Sequence, residues 1–200
     1  MKKRIGVLGG SFDPVHDGHV SIARSFLKCN LIHRLLIIPA SSPPHKPGEL
    51  SASFSHRFEM LKLAFKNDEK VTVSEIENRL PDPSYTLRTI HSLQQTHPDT
   101  LFYLCMGGDS LAGFDTWYEY REILKRVFLL VAERPDEDPL QVKEAIREKA
   151  VFTEHQPLRI SSSSIRKKRM KHPELLETQR VPGSVAKYIS KHHLYLSQDI

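Results

Sequence analysis

Short apolar runs alternate with helical patterns along this chain of 200 residues. The runs are almost continuously hydrophobic, as expected for strands that are buried on both faces of a parallel sheet. There are six such runs, of which the first five are clear and the last is weaker: 4–8, 34–39, 71–76, 101–106, 127–132 and 151–153.

Apolar residues recur at helical spacing between these runs, which predicts helices on the connecting segments. Asp17 is expected to cap the first helix and Ser55 the second. Further helices are predicted at 85–95, 117–124, 140–150 and 184–192. Another is expected to begin in the serine-rich stretch near residue 161.

This alternation of strands and helices predicts right-handed crossovers and a Rossmann-like, doubly wound α/β fold, with helices on both faces of a parallel sheet. The length fits a single domain spanning 1–200. A small helical segment, 161–200, is expected to complete it at the C-terminal end.

The composition is that of an ordinary folded protein, with 39% hydrophobic and 26% charged residues. No apolar run approaches the ~20 residues that span a membrane. The basic N-terminus is followed by a strand pattern rather than a signal-peptide core, so we expect a cytoplasmic protein that does not bind membranes. Cys29 and Cys105 lie far apart without a CxxC pair, which argues against a structural disulfide.

The formal net charge is +5, which suits either a polynucleotide or small phosphate-bearing ligands. The basic residues do not form one long stripe, and their densest cluster, 166–171, directly follows a candidate phosphate motif. We therefore expect small phosphates as ligands and no nucleic acid.

The most informative stretch is 9–19, Gly-Gly-Ser-Phe-Asp-Pro-Val-His-Asp-Gly-His, where the first strand passes into the first helix. A helix N-terminus offers unpaired N–H groups and a positive dipole end, which favour phosphate. Gly9 and Gly10 are expected to allow close approach and positive φ, and Gly18 to leave room for a phosphate. His16 and His19 would stabilise its charge, although two histidines at this spacing could also bind zinc. The stretch is neither a P-loop nor a GxGxxG fingerprint.

Two further candidate sites would meet the first one. In 160–166, serines at a helix start expose N–H groups, and Arg166 lies one turn into the helix, where it could bind phosphate. Gly108 and Asp109 follow the fourth strand, so they would lie at the same carboxyl edge of the sheet. Asp109 could accept a hydrogen bond from a ribose hydroxyl or cap the next helix.

A last group of candidates lies at or after strand ends or in connecting segments. Trp117 could stack on a flat ring or belong to the core, and both interpretations stay open. The group consists of Lys46, Thr86, Trp117, Tyr118 and Arg134.

With these motifs in place, the chain resembles the nucleotidyltransferases of the HxGH superfamily and, more narrowly, the bacterial nicotinate-nucleotide adenylyltransferases. The similarity runs through almost the whole chain. The matching segments are 9–14 with His16-x-Gly18-His19, 43–46, 83–86, 108–111, 114–118, 134–135, 160–166, 181–182, and 188–189 before 194–195. Ser11 replaces a commoner threonine, and Glu133 stands where a second arginine often precedes Arg134.

The resemblance implies transfer of the adenylyl group of ATP to nicotinate mononucleotide, giving deamido-NAD and pyrophosphate in NAD biosynthesis. His16, His19 and Arg166 would be catalytic. The implied ATP site comprises these three with Gly9, Gly10, Ser11, Phe12, Gly108, Asp109, Ser162, Ser163 and Ile165, so that 161–200 completes it. The implied mononucleotide site comprises His45, Lys46, Thr86, Trp117, Tyr118 and Arg134. Mg²⁺ would be held by ATP phosphates rather than by side chains.

Other functions remain open at this stage. The acceptor could be nicotinamide mononucleotide, phosphopantetheine, or an alcohol phosphate used with CTP. The phosphopantetheine branch, however, carries threonine where this chain has His16, and its chains are shorter. A non-catalytic nucleotide sensor or RNA-binding protein could use the same fold, but both histidines are present. The chain could be a monomer or a homo-oligomer.

Overall fold

The computed structural model describes residues 2–44, 48, 50–133, 142–156, 158–173 and 180–196. Its centre is a parallel sheet of six strands in the order β3-β2-β1-β4-β5-β6. The strands are β1 Lys3–Gly10, β2 Arg34–Pro39, β3 Val71–Val73, β4 Thr100–Gly107, β5 Phe128–Glu133 and β6 Ala150–Glu154. The strand order reverses between β1 and β4, which is the switch point where open α/β sheets bind ligands. The predicted doubly wound fold is confirmed.

Eight helices and two single 3₁₀ turns are present in the described ranges. The helices are α1 Asp17–Lys28, α2 Phe54–Ala64, α3 Thr86–Thr96, α4 Gly108–Ala112, α5 Tyr120–Arg126, α6 Glu144–Arg147, α7 Ser162–Lys171 and α8 Gly183–Lys191. The 3₁₀ turns are Ile76–Arg79 and Phe114–Thr116. Among the described residues, no helix is both long and apolar enough to cross a membrane.

Two predicted helix starts were wrong. α1 is capped by His16, with Asp17 as its first helical residue. α2 is capped by Ser53, whose hydroxyl accepts a hydrogen bond from the His56 N–H, and not by Ser55. In both cases the chain turns earlier than the apolar spacing indicated, because an upstream residue is available as a cap.

Three other predicted boundaries differ from the structure. The third strand ends at Val73, and Ile76 already begins a 3₁₀ turn. The helix expected from Trp117 begins at Tyr120, and Trp117 itself is extended. Of the helix predicted at 140–150, residues 140 and 141 lie outside the described residues, and only Glu144–Arg147 is helical. Ala150 instead pairs with Leu129 in the sheet.

Each face of the sheet carries its own hydrophobic core. On one face α1, α2 and α8 pack over the sheet, with Phe26, Met60 and Ile189 fully buried. On the other, α3 and α5 bury residues such as Ile90 and Ile123. Because both faces are covered, the carboxyl edge is left for ligands.

Candidate functional site

A cleft of about 510 Å³ opens at the carboxyl ends of β1 and β4. Gly9 and Gly10 end β1 on one side of it, and Gly107 ends β4 on the other. This is the switch point of the sheet, where the sequence predicted the candidate motifs to meet. Ser11, Phe12, His16, Gly18, His19, Thr86, Gly108, Asp109 and Trp117 also line the cleft.

The β1–α1 loop does not take the conformation predicted for its glycines. Gly9 and Gly10 are strand residues, and the left-handed residue of the loop is Phe12, with φ of 49°. Among the described glycines only Gly48 has a positive φ. A Cβ at Gly9 would meet nothing within 4 Å, whereas one at Gly10 would lie 3.0 Å from the Phe12 ring. Gly9 therefore leaves the cleft open, and Gly10 makes room for Phe12.

His16 and His19 form a stacked pair at the start of α1. Their ring centroids lie 3.7 Å apart, and the backbone N–H of His16 donates to Nδ1 of His19 across 3.2 Å. Since Nδ1 of neutral His19 accepts this bond, its ring proton resides on Nε2. The backbone thus sets the tautomer of His19 and makes Nε2 a donor.

Both imidazoles are held neutral at pH 7. Burial lowers the pKa of His16 to about 4. Burial also lowers the pKa of His19 well below its ordinary value, and the proximity of His16 lowers it further. A neutral imidazole can still donate one N–H, so the pair can bind phosphate oxygens by hydrogen bonds before any proton is taken up.

Gly18 lines the cleft, and its missing side chain also makes room for other parts of the protein. A Cβ there would lie 3.0 Å from both Cε1 and Nδ1 of His16, and 3.1 Å from Cγ2 of Ile160. The space that a Cβ would need is therefore occupied by the His16 ring and Ile160. Glycine at this position allows His16 to fold back over the helix start.

The N-terminus of α7 is fastened to the β1–α1 loop. The Ser162 hydroxyl donates to the Pro14 carbonyl at 2.9 Å, and Nη1 of Arg166 donates to the Asp13 carbonyl at 2.7 Å. Ile160, just before the helix, lines the cleft, so the two predicted phosphate motifs do adjoin. Ser162, Ser163, Ile165 and Arg166 themselves are not among the lining residues, and Ile165 is buried in the core.

The aromatic residues near the cleft divide into two. Trp117 packs against Phe114, with ring centroids 5.2 Å apart, and also lines the cleft. It is therefore part of the core and accessible to a ligand. Tyr118 does not line the cleft: its side chain is exposed and stacks on Tyr85, with centroids 4.5 Å apart.

Three predicted mononucleotide contacts, His45, Lys46 and Arg134, lie outside the described residues. Thr86, the first residue of α3, does line the cleft. Within the described ranges, no three His, Cys, Asp or Glu side chains are grouped closely enough to hold a metal ion.

Sequence reasoning missed a buried polar group in the wall of the cleft, Glu77. Oε1 of Glu77 accepts from the Thr89 hydroxyl at 2.8 Å, and its Oε2 is buried with no hydrogen-bond partner in the described residues. Burial raises the pKa of Glu77. Ser84 accepts hydrogen bonds from the N–H groups of Ser41 and Ser42, which joins the loop after β2 to the start of α3. Nothing in the sequence marks Glu77 or Thr89 as buried, and Ser84 stood out only as part of the matching segment 83–86.

A buried network under the β1–α1 loop was also missed. Asp13 is 1% exposed and accepts a hydrogen bond from the Tyr195 hydroxyl near the end of the described chain. Arg57, equally buried, donates to the Ser11 carbonyl at 2.8 Å. Asp13 was available as a motif residue, but its partners are distant in sequence and no local pattern indicates them.

The family profile and the curated relatives indicate the same family for this chain. The profile of the cytidylyltransferase-like family matches residues 7–168. A "Probable nicotinate-nucleotide adenylyltransferase" of Synechococcus sp. (strain JA-3-3Ab) is 38% identical over 98% of this chain and 96% of its own. A protein of the same name from Clostridium novyi (strain NT) is 34% identical over 98% of this chain and 100% of its own.

A solved structure shares the fold. Plasmodium falciparum nicotinic acid mononucleotide adenylyltransferase complexed with NaAD has a TM-score of 0.80, covering 96% of this chain and 97% of that one. Its sequence is 23% identical to this chain, so the likeness establishes the fold alone.

Proposed function

The chain belongs to the cytidylyltransferase-like family, in its nicotinate-nucleotide adenylyltransferase branch, and on that premise we propose that it transfers the adenylyl group of ATP to nicotinate mononucleotide. The products are deamido-NAD and pyrophosphate, a step of NAD biosynthesis. The observation that supports this proposal most directly is the pair His16 and His19, stacked at a helix start and lining a cleft at the switch point.

The reaction requires no general base. A phosphate monoester has its second pKa near ~6, so the acceptor phosphate is already largely a dianion at neutral pH. Its oxygen attacks the α-phosphorus of ATP in line, and pyrophosphate leaves. The enzyme must therefore position two polyanions and stabilise the charge of the transition state.

His16 and His19 suit that requirement. Their rings are neutral, so they donate hydrogen bonds to phosphate without attracting anions from solution by a charge. The positive dipole end of α1 adds to this binding. The Nε2–H of His19 is fixed by the backbone bond to Nδ1, so little reorganisation is needed on binding. We assign both histidines to phosphate oxygens of ATP, with His16 at the α-phosphate.

The rest of the ATP site is proposed on both sides of the switch point. Gly9, Gly10, Ser11 and Phe12 would lie against the nucleotide, with Gly108 and Asp109 opposite, Asp109 at the ribose. From the C-terminal part 161–200, we propose Ser162, Ser163, Ile165 and Arg166. Arginine carries five N–H donors, so the bond of Arg166 to Asp13 leaves donors for the leaving pyrophosphate.

The acceptor would bind on the α3 side of the cleft. Trp117 offers an aromatic face to the nicotinate ring, and backbone N–H groups at Thr86 and Tyr118 would meet its carboxylate. His45, Lys46 and Arg134 are proposed for the mononucleotide phosphate.

Mg²⁺ completes the proposal as a partner of ATP, where it would offset phosphate charge. Magnesium keeps several waters and is commonly bound through substrate phosphates, which suits a cleft whose described residues provide no carboxylate cluster. Both substrates are charged metabolites of the cell interior, and we propose a cytoplasmic location.

The test is pyrophosphate release from Mg·ATP, with nicotinate mononucleotide and nicotinamide mononucleotide compared in parallel. Turnover that favours the acid supports both the reaction and the acceptor. Equal use of both would overturn the acceptor preference, and no release with either would overturn the function. His19→Ala protein serves as the control against a contaminating activity.

A further inference from the structure

Tyr195, near the C-terminal end of the described chain, reaches back to the loop that carries the histidines. Its ring is buried against the core beside α8, and the residue is 9% exposed. Its hydroxyl donates to Oδ1 of Asp13 across 2.8 Å, although 182 positions separate the two residues. Burial raises the pKa of this hydroxyl, so it remains a donor at any ordinary pH.

Asp13 is the point where several segments meet. Its Oδ2 accepts from the Ser51 N–H at 2.8 Å, and its Oδ1 accepts from the Ala52 N–H at 3.1 Å as well as from Tyr195. The guanidinium of Arg166 lies 3.7 Å from Oδ2 while it bonds the Asp13 carbonyl. The carboxylate therefore ties the β1–α1 loop to the segment before α2, to α7 and to the C-terminal segment.

This arrangement controls where the loop lies. Asp13 sits between Phe12, held in the left-handed region, and His16, the cap of α1. A buried carboxylate requires several donors, because an unsatisfied charged oxygen is costly. If the Tyr195 hydroxyl is removed, Oδ1 of Asp13 keeps the longer bond from the Ala52 N–H but loses its shorter one. The lost bond can be replaced only if Asp13 moves or water enters, and we expect either change to loosen the loop.

We propose that Tyr195 is a positioning residue of the active site: its hydroxyl, through Asp13, holds residues 11–16 where His16 and His19 face the cleft. The inference rests on the proposed function for its effect on turnover. Small displacements at such a site are expensive, since misplacement of reacting groups by about 1 Å costs ~10²-fold in rate.

The test compares Tyr195→Phe with Tyr188→Phe. The Tyr188 hydroxyl lies 3.0 Å from Nδ1 of His56 and joins α8 to α2. This variant therefore also removes a partly buried hydroxyl contact from the C-terminal part, but it leaves Asp13 untouched. Tyr195→Phe keeps the packed ring. We expect its kcat to fall by about tenfold or more, with a smaller change in KM for ATP and a melting temperature close to that of Tyr188→Phe. Tyr188→Phe should turn over like the parent.

Amide hydrogen exchange of the free protein separates this inference from the proposed function, because it requires no substrate. Faster exchange confined to 11–16 and to the segment around 51–52 is expected in Tyr195→Phe, and not in Tyr188→Phe. A second variant, Tyr195→Met, removes the hydroxyl with different packing and should reproduce the change. Unaltered exchange in this loop, or exchange raised equally throughout the chain, would overturn the inference whatever the parent enzyme catalyses.

Discussion

The backbone N–H of His16 donates to Nδ1 of His19 across 3.2 Å, and the two rings stack with centroids 3.7 Å apart. His16 thus caps α1, and its backbone N–H also sets the tautomer of His19. The two ring nitrogens of His19 therefore have different roles: Nδ1 accepts a hydrogen bond from the protein, and Nε2 is available to donate one to the substrate.

That division predicts graded effects at position 19. His19→Ala loses both contacts and should lower kcat by about 10²-fold, as expected when a transition-state donor is removed. His19→Gln can place an amide N–H near the former Nε2 and should retain more activity than His19→Ala. Steady-state kinetics on variants with the parent melting temperature would decide this. Turnover of folded His19→Ala at the parent rate would refute the assignment of His19.

Gly18 gives a second prediction, because its Cβ space is occupied by the His16 ring and Ile160. Gly18→Ala should displace the ring by a few tenths of an ångström and lower kcat severalfold, since contacts of 3.0 Å are tighter than a Cβ normally makes. Gly113→Ala is the matched control, as a Cβ there would meet nothing within 4 Å. The pair should differ clearly in kcat. Equal activity of the two variants would show that the His16 ring can move without consequence.

The lowered pKa of His16 predicts a pH dependence of stability. The unfolded state, with an ordinary histidine pKa near 6.5, takes up a proton as the pH falls, whereas the folded state resists protonation until about pH 4. The free energy of unfolding should therefore decrease as pH falls from about 6.5 to 4, by about 3 kcal/mol for a shift of this size. Above pH 6.5 this contribution should not vary.

Urea unfolding of His16→Asn beside the parent protein from pH 4 to 7 checks this expectation. Asparagine is a good helix cap and carries no titrating ring, so the variant should lose less stability on acidification. His97→Gln, at an exposed position, should keep the slope of the parent. Parallel curves for the parent and His16→Asn would show that His16 is not the source of the acid sensitivity.

The sheet and the location of the cleft could be predicted from the sequence because both depend on local signals. Apolar runs such as 34–39 identify buried strands, and Gly-Gly followed by His16 and His19 marks a strand-to-helix turn. Helix boundaries were less accurate. Caps such as Ser53 depend on where the chain leaves the preceding loop, which the periodicity of the helix does not report.

The buried polar contacts that hold the site in place could not be predicted in this way. Asp13 and Tyr195 contact each other across 182 positions, and Glu77 meets Thr89 only because a 3₁₀ turn packs under α3. Such contacts depend on tertiary packing and leave no periodic trace. The same limit explains Gly18, whose side-chain space is filled by Ile160 from a segment far along the chain.

Trp117 packs in the core and is also accessible from the cleft, so its replacement should affect both stability and ligand binding. It contacts Phe114 in the core and lines the cleft beside Thr86. Trp117→Ala should raise KM for nicotinate mononucleotide by about fivefold or more, since an aromatic stacking contact is worth roughly 1 kcal/mol beyond area burial, while KM for ATP changes little. Loss of packing against Phe114 should also lower the melting temperature.

Trp117→Phe keeps a ring and should lie between the parent and Trp117→Ala in KM. If Trp117→Ala loses stability but binds the mononucleotide like the parent, Trp117 belongs to the core alone and the nicotinate ring must bind elsewhere in the cleft.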